Sequence, residues 1–236
     1  MSKNQLLFSV FVFLVGTYCC ALSQLLLENY LKSDQPAPLI SHQPAPLISD
    51  LGFFLFSCLH SSPLPSSVVD YMVALEVVFA VLGIIFFGEK KLKIVQKMLL
   101  CMGCMYFLRA ISIVLTVFPN PDGSCKSDKP KYPLPFEVFR VMLRLRVTCK
   151  DVFFSGHTGF IMFCDFVTWH CLSRVKRTLA VINRLYVGSI CLAIIASKFH
   201  YTIDVVTGAV VSVFIWNLFR DNKKHEEDME YEAFLG

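Results

Sequence analysis

Two short stretches of this chain carry side chains that an otherwise apolar sequence has little structural reason to keep. They are Cys149-Lys-Asp-Val-Phe-Phe-Ser-Gly-His-Thr158 and His200-Tyr-Thr-Ile-Asp204, each at the mouth of a hydrophobic run. An ionisable group facing hydrocarbon is costly, so His157, His200 and Asp204 point to a site facing protein or water. His200 and Asp204 are four apart, so on a helix they share a face and the carboxylate can orient the imidazole. Ser155-Gly156-His157 adds a second imidazole beside a glycine, which allows a close backbone approach to a ligand. Two histidines and one carboxylate are the minimum parts for nucleophilic attack on phosphorus with general-acid help to the leaving group. The candidate catalytic set is therefore His157, His200 and Asp204.

The rest of the chain must bring these stretches together. Of its 236 residues 55% are hydrophobic and only 17% charged, where a soluble domain carries about a quarter charged residues. The apolar runs are continuous and do not alternate, so the expectation is an all-α membrane protein, not a barrel. Six spans are predicted: Leu6–Leu27, Val68–Phe87, Met98–Phe118, Phe153–Cys171, Leu179–Ser197 and Ile203–Phe219. A cleaved signal peptide is the alternative for the first, but that run is longer than such a segment normally is. Leu51–His60 is too short to cross and reads as interfacial. Phe136–Val147 mixes apolar residues with Arg140, Arg144 and Arg146, as a surface-lying amphipathic helix does. The whole chain, 1–236, reads as one membrane domain, with a core over about 98–220 and a charged tail at 220–236.

Even numbers of spans put both termini on one side. Lys90, Lys91, Lys93 and Lys97, then Arg174, Lys176, Arg177 and Arg184, then Arg220, Lys223 and Lys224 all fall on that side, which marks it as cytosolic. His157, His200 and Asp204 then face the exoplasmic surface. Counting depth from the same surface puts Glu76, Arg109 and Asp165 at similar heights, so an ion pair of Arg109 with Glu76 or Asp165 is expected. The net charge of +4 is spread over short loops, which gives no nucleic-acid patch.

Of the ten cysteines, Cys19, Cys20, Cys101, Cys104, Cys164, Cys171 and Cys191 lie in or beside apolar runs and read as small hydrophobes. Cys101 and Cys104 form a C-x-x-C without a second ligand pair, so no metal is expected. A Cys125–Cys149 bridge would tie the loop before the histidine stretch. A direct repeat, Gln-Pro-Ala-Pro-Leu-Ile-Ser-His at 35–42 and Gln-Pro-Ala-Pro-Leu-Ile-Ser-Asp at 43–50, favours extended backbone. His42, His60, His170 and His225 read as interfacial or solvated.

The residues also carry a family resemblance. Cys149–Thr158 resembles the C-G-D-x-x-x-S-G-H-T motif of the sphingomyelin synthase family, a branch of the type 2 phosphatidic acid phosphatase superfamily. His200-Tyr-Thr-Ile-Asp-Val205 is similar to its H-Y-T-x-D-V motif. Arg109, six residues, then Thr116-Val-Phe-Pro-Asn-Pro121 is similar to its R-x6-T-x-L-P-x-P motif, with Phe118 for leucine. Ala45-Pro-Leu-Ile-Ser-Asp50 faintly resembles the proline-rich motif after the first span. The three motifs stand in family order over about residues 100–220. Lys150 stands where the family has glycine, and Phe199 where its animal choline- and ethanolamine-transferring members have an acidic residue.

What the resemblance implies is a six-helix enzyme that transfers a phospho-head group, phosphocholine first, from a glycerophospholipid to ceramide. His200 would take the phosphoryl head group and release diacylglycerol. Asp204 would orient His200, and His157 would protonate the leaving alkoxide and then deprotonate the ceramide hydroxyl. Arg109, Ser155, Gly156, Lys150, Asp151 and Tyr201 are the candidate substrate-binding residues, with no cofactor expected. The partners would be ceramide, glycerophospholipid and other membrane lipids, and a homo-oligomer is compatible with this. A lumen-facing site favours Golgi or plasma membrane. A lipid phosphate phosphatase or phospholipase C-like hydrolase would use the same residues, and a non-catalytic lipid-binding scaffold would use none of them.

Overall fold

Eight α-helices make up the regular structure among the described residues, with no strand. The computed structural model describes residues 3–32, 49–59, 64–88, 90–116, 121, 128–143, 145–146, 148, 153–173 and 175–219. The elements are α1 (Lys3–Lys32), α2 (Leu51–Leu59), α3 (Ser66–Phe87), α4 (Lys91–Leu115), α5 (Leu134–Met142), α6 (Gly156–Leu172), α7 (Arg177–Ala196) and α8 (Thr202–Leu218). Lipid offers no partner to a free N–H or C=O, so apolar runs of this length close their backbone bonds within helices. The six predicted spans fall on α1, α3, α4, α6, α7 and α8. Of these, α1, α3, α4 and α7 are long and apolar enough to cross a membrane by themselves. The other two have 17 residues each, about 25 Å of rise against a hydrocarbon core of about 30 Å.

α6 is the central helix. It is buried on nearly every side, by Thr158, Ile161, Phe163, Cys164, Val167 and Cys171 among others, as a helix without a solvent or lipid face must be. Ile161 packs with Val69, Val73, Ile190, Ile194 and Val205 of α3, α7 and α8. Phe163 packs with Cys101 and Met105 of α4 and with Ile215 of α8. The outer helices instead expose Phe11, Phe86, Leu185 and Phe214, the residues expected to meet lipid. α1 lies along α4 at backbone contact: a Cβ on Gly103 would stand 2.7 Å from the Val12 carbonyl oxygen. Small residues that let backbones touch are how membrane helices associate.

Two polar networks fasten this bundle. In the first, Arg146 donates to Glu137 Oε2 at 2.9 Å and to Glu28 Oε2 at 3.2 Å, and Arg140 donates to Glu137 Oε1 at 3.0 Å. Burial pushes the Glu137 carboxyl up. The Lys131 N–H, Arg140, the Tyr132 N–H and Arg146 outweigh that and bring it down from 4.5 to about 2. The expected amphipathic helix over Phe136–Val147 is shorter at this end, stopping at Met142, and Arg146 turns inward to carboxylates of α1 and α5 and not out to water. In the second network, Asn183 Nδ2 donates to Glu76 Oε1 at 3.2 Å and to Asp165 Oδ1 at 3.3 Å. Arg184 Nε donates to Asp165 Oδ2 at 3.0 Å and its guanidinium stacks 3.9 Å from the Trp169 ring centroid.

This second network corrects the expected pairing of Arg109 with Glu76 or Asp165. The partner of Asp165 is Arg184, from α7, and Glu76 is bonded by Asn183. Arg109 lies at the head of α6, beside Gly156, about 14 Å up that helix from Asp165. The expected equal depth therefore fails for Arg109, which stands at the head of α6 while Asp165 lies well along it.

Candidate active site

Local chemistry sets where α6 and α8 begin. Ser155 is the N-cap of α6, its Oγ accepting the Thr158 N–H at 3.1 Å, a use for which serine is among the preferred residues. At α8, Asp204 Oδ2 accepts the Tyr201 N–H at 3.1 Å. The two starts are joined directly, since the Ser155 N–H donates to the Asp204 carbonyl at 3.0 Å. Gly208, one turn after Asp204, permits that approach: a Cβ there would stand 2.8 Å from the Ser155 carbonyl oxygen. Between α7 and α8 the chain reverses through Lys198 at φ 56°, delivering His200 to the same end of the bundle.

His157 and His200 thus meet, although 43 residues of chain number separate them. Their ring centroids are 6.1 Å apart, close enough for both imidazoles to reach the same phosphoryl group. His200 Nδ1 faces Asp204 Oδ2 at 3.8 Å, with the His200 and Asp204 side chains 3% and 0% exposed. That is ion-pair range but long for a hydrogen bond, and catalytic hydrogen bonds often tighten only once substrate is bound. A carboxylate on the Nδ1 side favours the proton on that nitrogen and the lone pair on Nε2. Asp204 Oδ1 has no hydrogen-bond partner among the described residues, so this carboxylate keeps accepting capacity. The Phe199 ring stands edge-on to His157 at 5.0 Å and closes one side.

A cation stands at the same place. A Cβ on Gly156 would lie 3.3 Å from Cζ of Arg109, so the guanidinium packs on the first residue of α6. The missing side chain at Gly156 is what admits it. Arg109 is buried, 5.8 Å from the Phe154 ring centroid. A guanidinium beside a helix N-terminus is a setting that favours an anion, through charge and through free backbone N–H groups.

The other expected residues are distributed unevenly. Ser155 is fully buried and its side chain is used in the cap. Tyr201 is buried with its ring 5.4 Å from Phe53 of α2. Lys150, Asp151, Cys125, Cys149, the tail at 220–236 and most of the 35–50 repeat lie outside the described residues. Among the described residues no group of three His, Cys, Asp or Glu side chains gathers as a metal-ligand set. Two positions went unread in the sequence. Gly208 could have been found as a small residue one turn after Asp204. Asp50 could have been found as an N-cap residue just ahead of an apolar run: its Oδ1 accepts the Phe53 N–H at 3.1 Å. That carboxylate also reaches α8, accepting the Thr202 N–H at 2.8 Å and the Thr202 hydroxyl at 2.6 Å.

Comparison with known proteins bears on the same segment. Residues 148–222 match the PAP2 superfamily C-terminal family, a stretch that holds both histidines and Asp204. The chain is 26% identical over 180 residues to a Caenorhabditis elegans protein named phosphatidylcholine:ceramide cholinephosphotransferase 3, covering 70% of this chain and 52% of that one. It is 33% identical over 127 residues to a phosphatidylinositol:ceramide inositolphosphotransferase of Oryza sativa subsp. indica, covering 51% and 38%. It is 30% identical over 117 residues to a phosphatidylethanolamine:ceramide ethanolaminephosphotransferase of Trypanosoma brucei brucei, covering 44% and 33%. The chain spans about half or less of the length of these relatives. Helices α6 and α8 meet at the two histidines inside the segment that matches the PAP2 superfamily C-terminal family, and the chain is similar over part of its length to ceramide phosphotransferases.

Proposed function

We propose that the protein transfers a phospho-head group from a glycerophospholipid to ceramide, with His200 as the covalent nucleophile. The observation that carries this reading is the 6.1 Å approach of the His157 and His200 rings, with Asp204 behind one of them. In the first half-reaction Nε2 of His200 attacks phosphorus, and the bond from phosphorus to the diacylglycerol oxygen breaks. His157, as imidazolium, gives its proton to that oxygen, and diacylglycerol leaves. In the second, the ceramide primary hydroxyl attacks the phosphohistidine and passes its proton to His157. The N–P bond breaks, and His200 returns to its starting state. Asp204 steadies the charge that His200 gains on phosphorylation. Arg109 and the start of α6, at Ser155 and Gly156, receive the phosphate oxygens. Lys150, Asp151 and Tyr201 complete the proposed substrate contacts.

The three named relatives differ in donor: choline, inositol and ethanolamine phospholipids. Phosphocholine is our first expectation for this chain. On the argument from the basic loops the site faces the exoplasmic side, and a lumen-facing site favours Golgi or plasma membrane. The test is to incubate membranes containing the protein with fluorescent ceramide and phosphatidylcholine, phosphatidylethanolamine or phosphatidylinositol separately. A new phosphosphingolipid with one donor, lost in His200→Ala, supports the reading and names the head group. Diacylglycerol release without any such product would instead assign a hydrolase, in which water resolves the phosphohistidine. Product formation unchanged in His200→Ala would remove His200 from the chemistry.

A further inference from the structure

The carboxylates of Asp50 and Asp204 divide the N–H groups at the start of α8. Asp204 takes the Tyr201 N–H with the same oxygen that faces His200. Asp50 takes the next one, Thr202, together with its hydroxyl. Asp50 also receives the Phe53 N–H, so a single side chain ties together the starts of α2 and α8. The packing confirms how close the two are: a Cβ on Gly52 would collide with the Thr202 hydroxyl, and Phe53 covers the Tyr201 ring at 5.4 Å. The first N–H groups of a helix have no intrahelical acceptor and seek one. Without Asp50, the Thr202 N–H has one remaining carboxylate at this helix start, Asp204, and any turn of Asp204 toward it takes that group away from His200.

We propose that Asp50 is a positioning residue for the His200–Asp204 pair: it satisfies the start of α8 from outside, so that Asp204 stays on the imidazole. This rests on the catalytic reading of His200 given above. It also gives the 35–50 repeat a use. Its first copy ends in His42 and its second in Asp50, and only the second supplies a carboxylate ahead of α2.

The test uses the full-length protein reconstituted with its phospholipid donor and ceramide. Asp50→Ala should lower kcat by about 10–100-fold, the range expected for a misplacement of about 1 Å, while KM for ceramide stays within about twofold. Asp50→Asn keeps one oxygen acceptor and should recover much of the loss. Thr202→Val, which removes only the hydroxyl donor, should give a smaller drop. Hydrogen exchange provides a readout independent of turnover. In Asp50→Ala, a peptide covering 198–206 should exchange faster, while one covering 156–170 should not change. Wild-type kcat in Asp50→Ala, a loss carried by KM alone, or unchanged exchange at 198–206 would overturn the proposal. If Asp50→Ala gives no cooperative melt, the Asn and Val variants decide by the same criteria. If the wild-type protein transfers nothing from any donor, the catalytic reading falls, and the exchange result alone supports or overturns the tether.

Discussion

At the scale of single residues, the proposed division of labour between the two imidazoles makes them separable by experiment. His200→Ala should form no phosphoenzyme from any donor. His157→Ala should still form one, with turnover down by about 10²–10⁴-fold, the usual contribution of a positioned general acid–base. A p-nitrophenyl phosphodiester, whose leaving group needs no proton, should recover most of the phosphorylation rate in His157→Ala and none in His200→Ala. Single-turnover measurement of acid-labile phosphate on the protein reads both outcomes. Equal defects with both donors would argue against His157 as the acid. The residues of this set could be found in the sequence because their spacing is local. His200 and Asp204 are four positions apart, and Ser155-Gly156-His157 is contiguous. Asp50 could not be placed in the same way, because its partner is 152 residues away and nothing in either segment names the other.

At the scale of elements, helices were legible wherever apolar runs set their length, and their ends less so. α4 begins at Lys91, a turn or two before the predicted Met98, because its lysines stay usable on a helix surface. Lys97, for one, sits 4.0 Å over the Trp216 ring centroid. The Arg109 pairing failed for a related reason: its depth was counted from Phe118, whereas α4 ends at Leu115 and carries Arg109 up to the first residue of α6. Packing between elements yields its own prediction at Gly208. A valine side chain in its place would drive Cβ into the Ser155 carbonyl, and Gly208→Val should cost about 1–3 kcal/mol. It should also part the starts of α6 and α8, so activity should fall further than the melting temperature alone explains. Gly188, whose Cβ would meet nothing within 4 Å, is the control, and Gly188→Ala should leave activity unchanged and hold or slightly raise the melting temperature.

At the scale of the whole molecule, the α1–α5 clamp carries a pH signature. The Glu137 carboxyl titrates lower in the folded protein, near 2, than its ordinary value of 4.5. Its stabilising contribution is therefore fully present above about pH 4.5 and disappears as pH falls toward about 2. Thermal melts of wild-type protein and Glu137→Gln should differ by a constant amount from pH 7 down to about 5. The two should then converge on further acidification. A gap that instead opened below pH 4.5 would contradict the clamp.

The same clamp spans a division of labour along the chain. α1–α4 hold Arg109 but neither histidine, whereas the chain from α5 onward holds both histidines and Asp204 and reaches back to the first half through Arg146 on Glu28 and Asn183 on Glu76. Membrane helices form individually and associate afterwards, so continuity of the polypeptide between α4 and α5 is not what keeps the halves together. A gene cut within codons 122–127 and expressed as two polypeptides should reassemble in the bilayer and regain turnover. Carrying Glu28→Ala on the first half should weaken that reunion, and Glu76→Ala should weaken it as well, since each carboxylate receives a side chain of the second half.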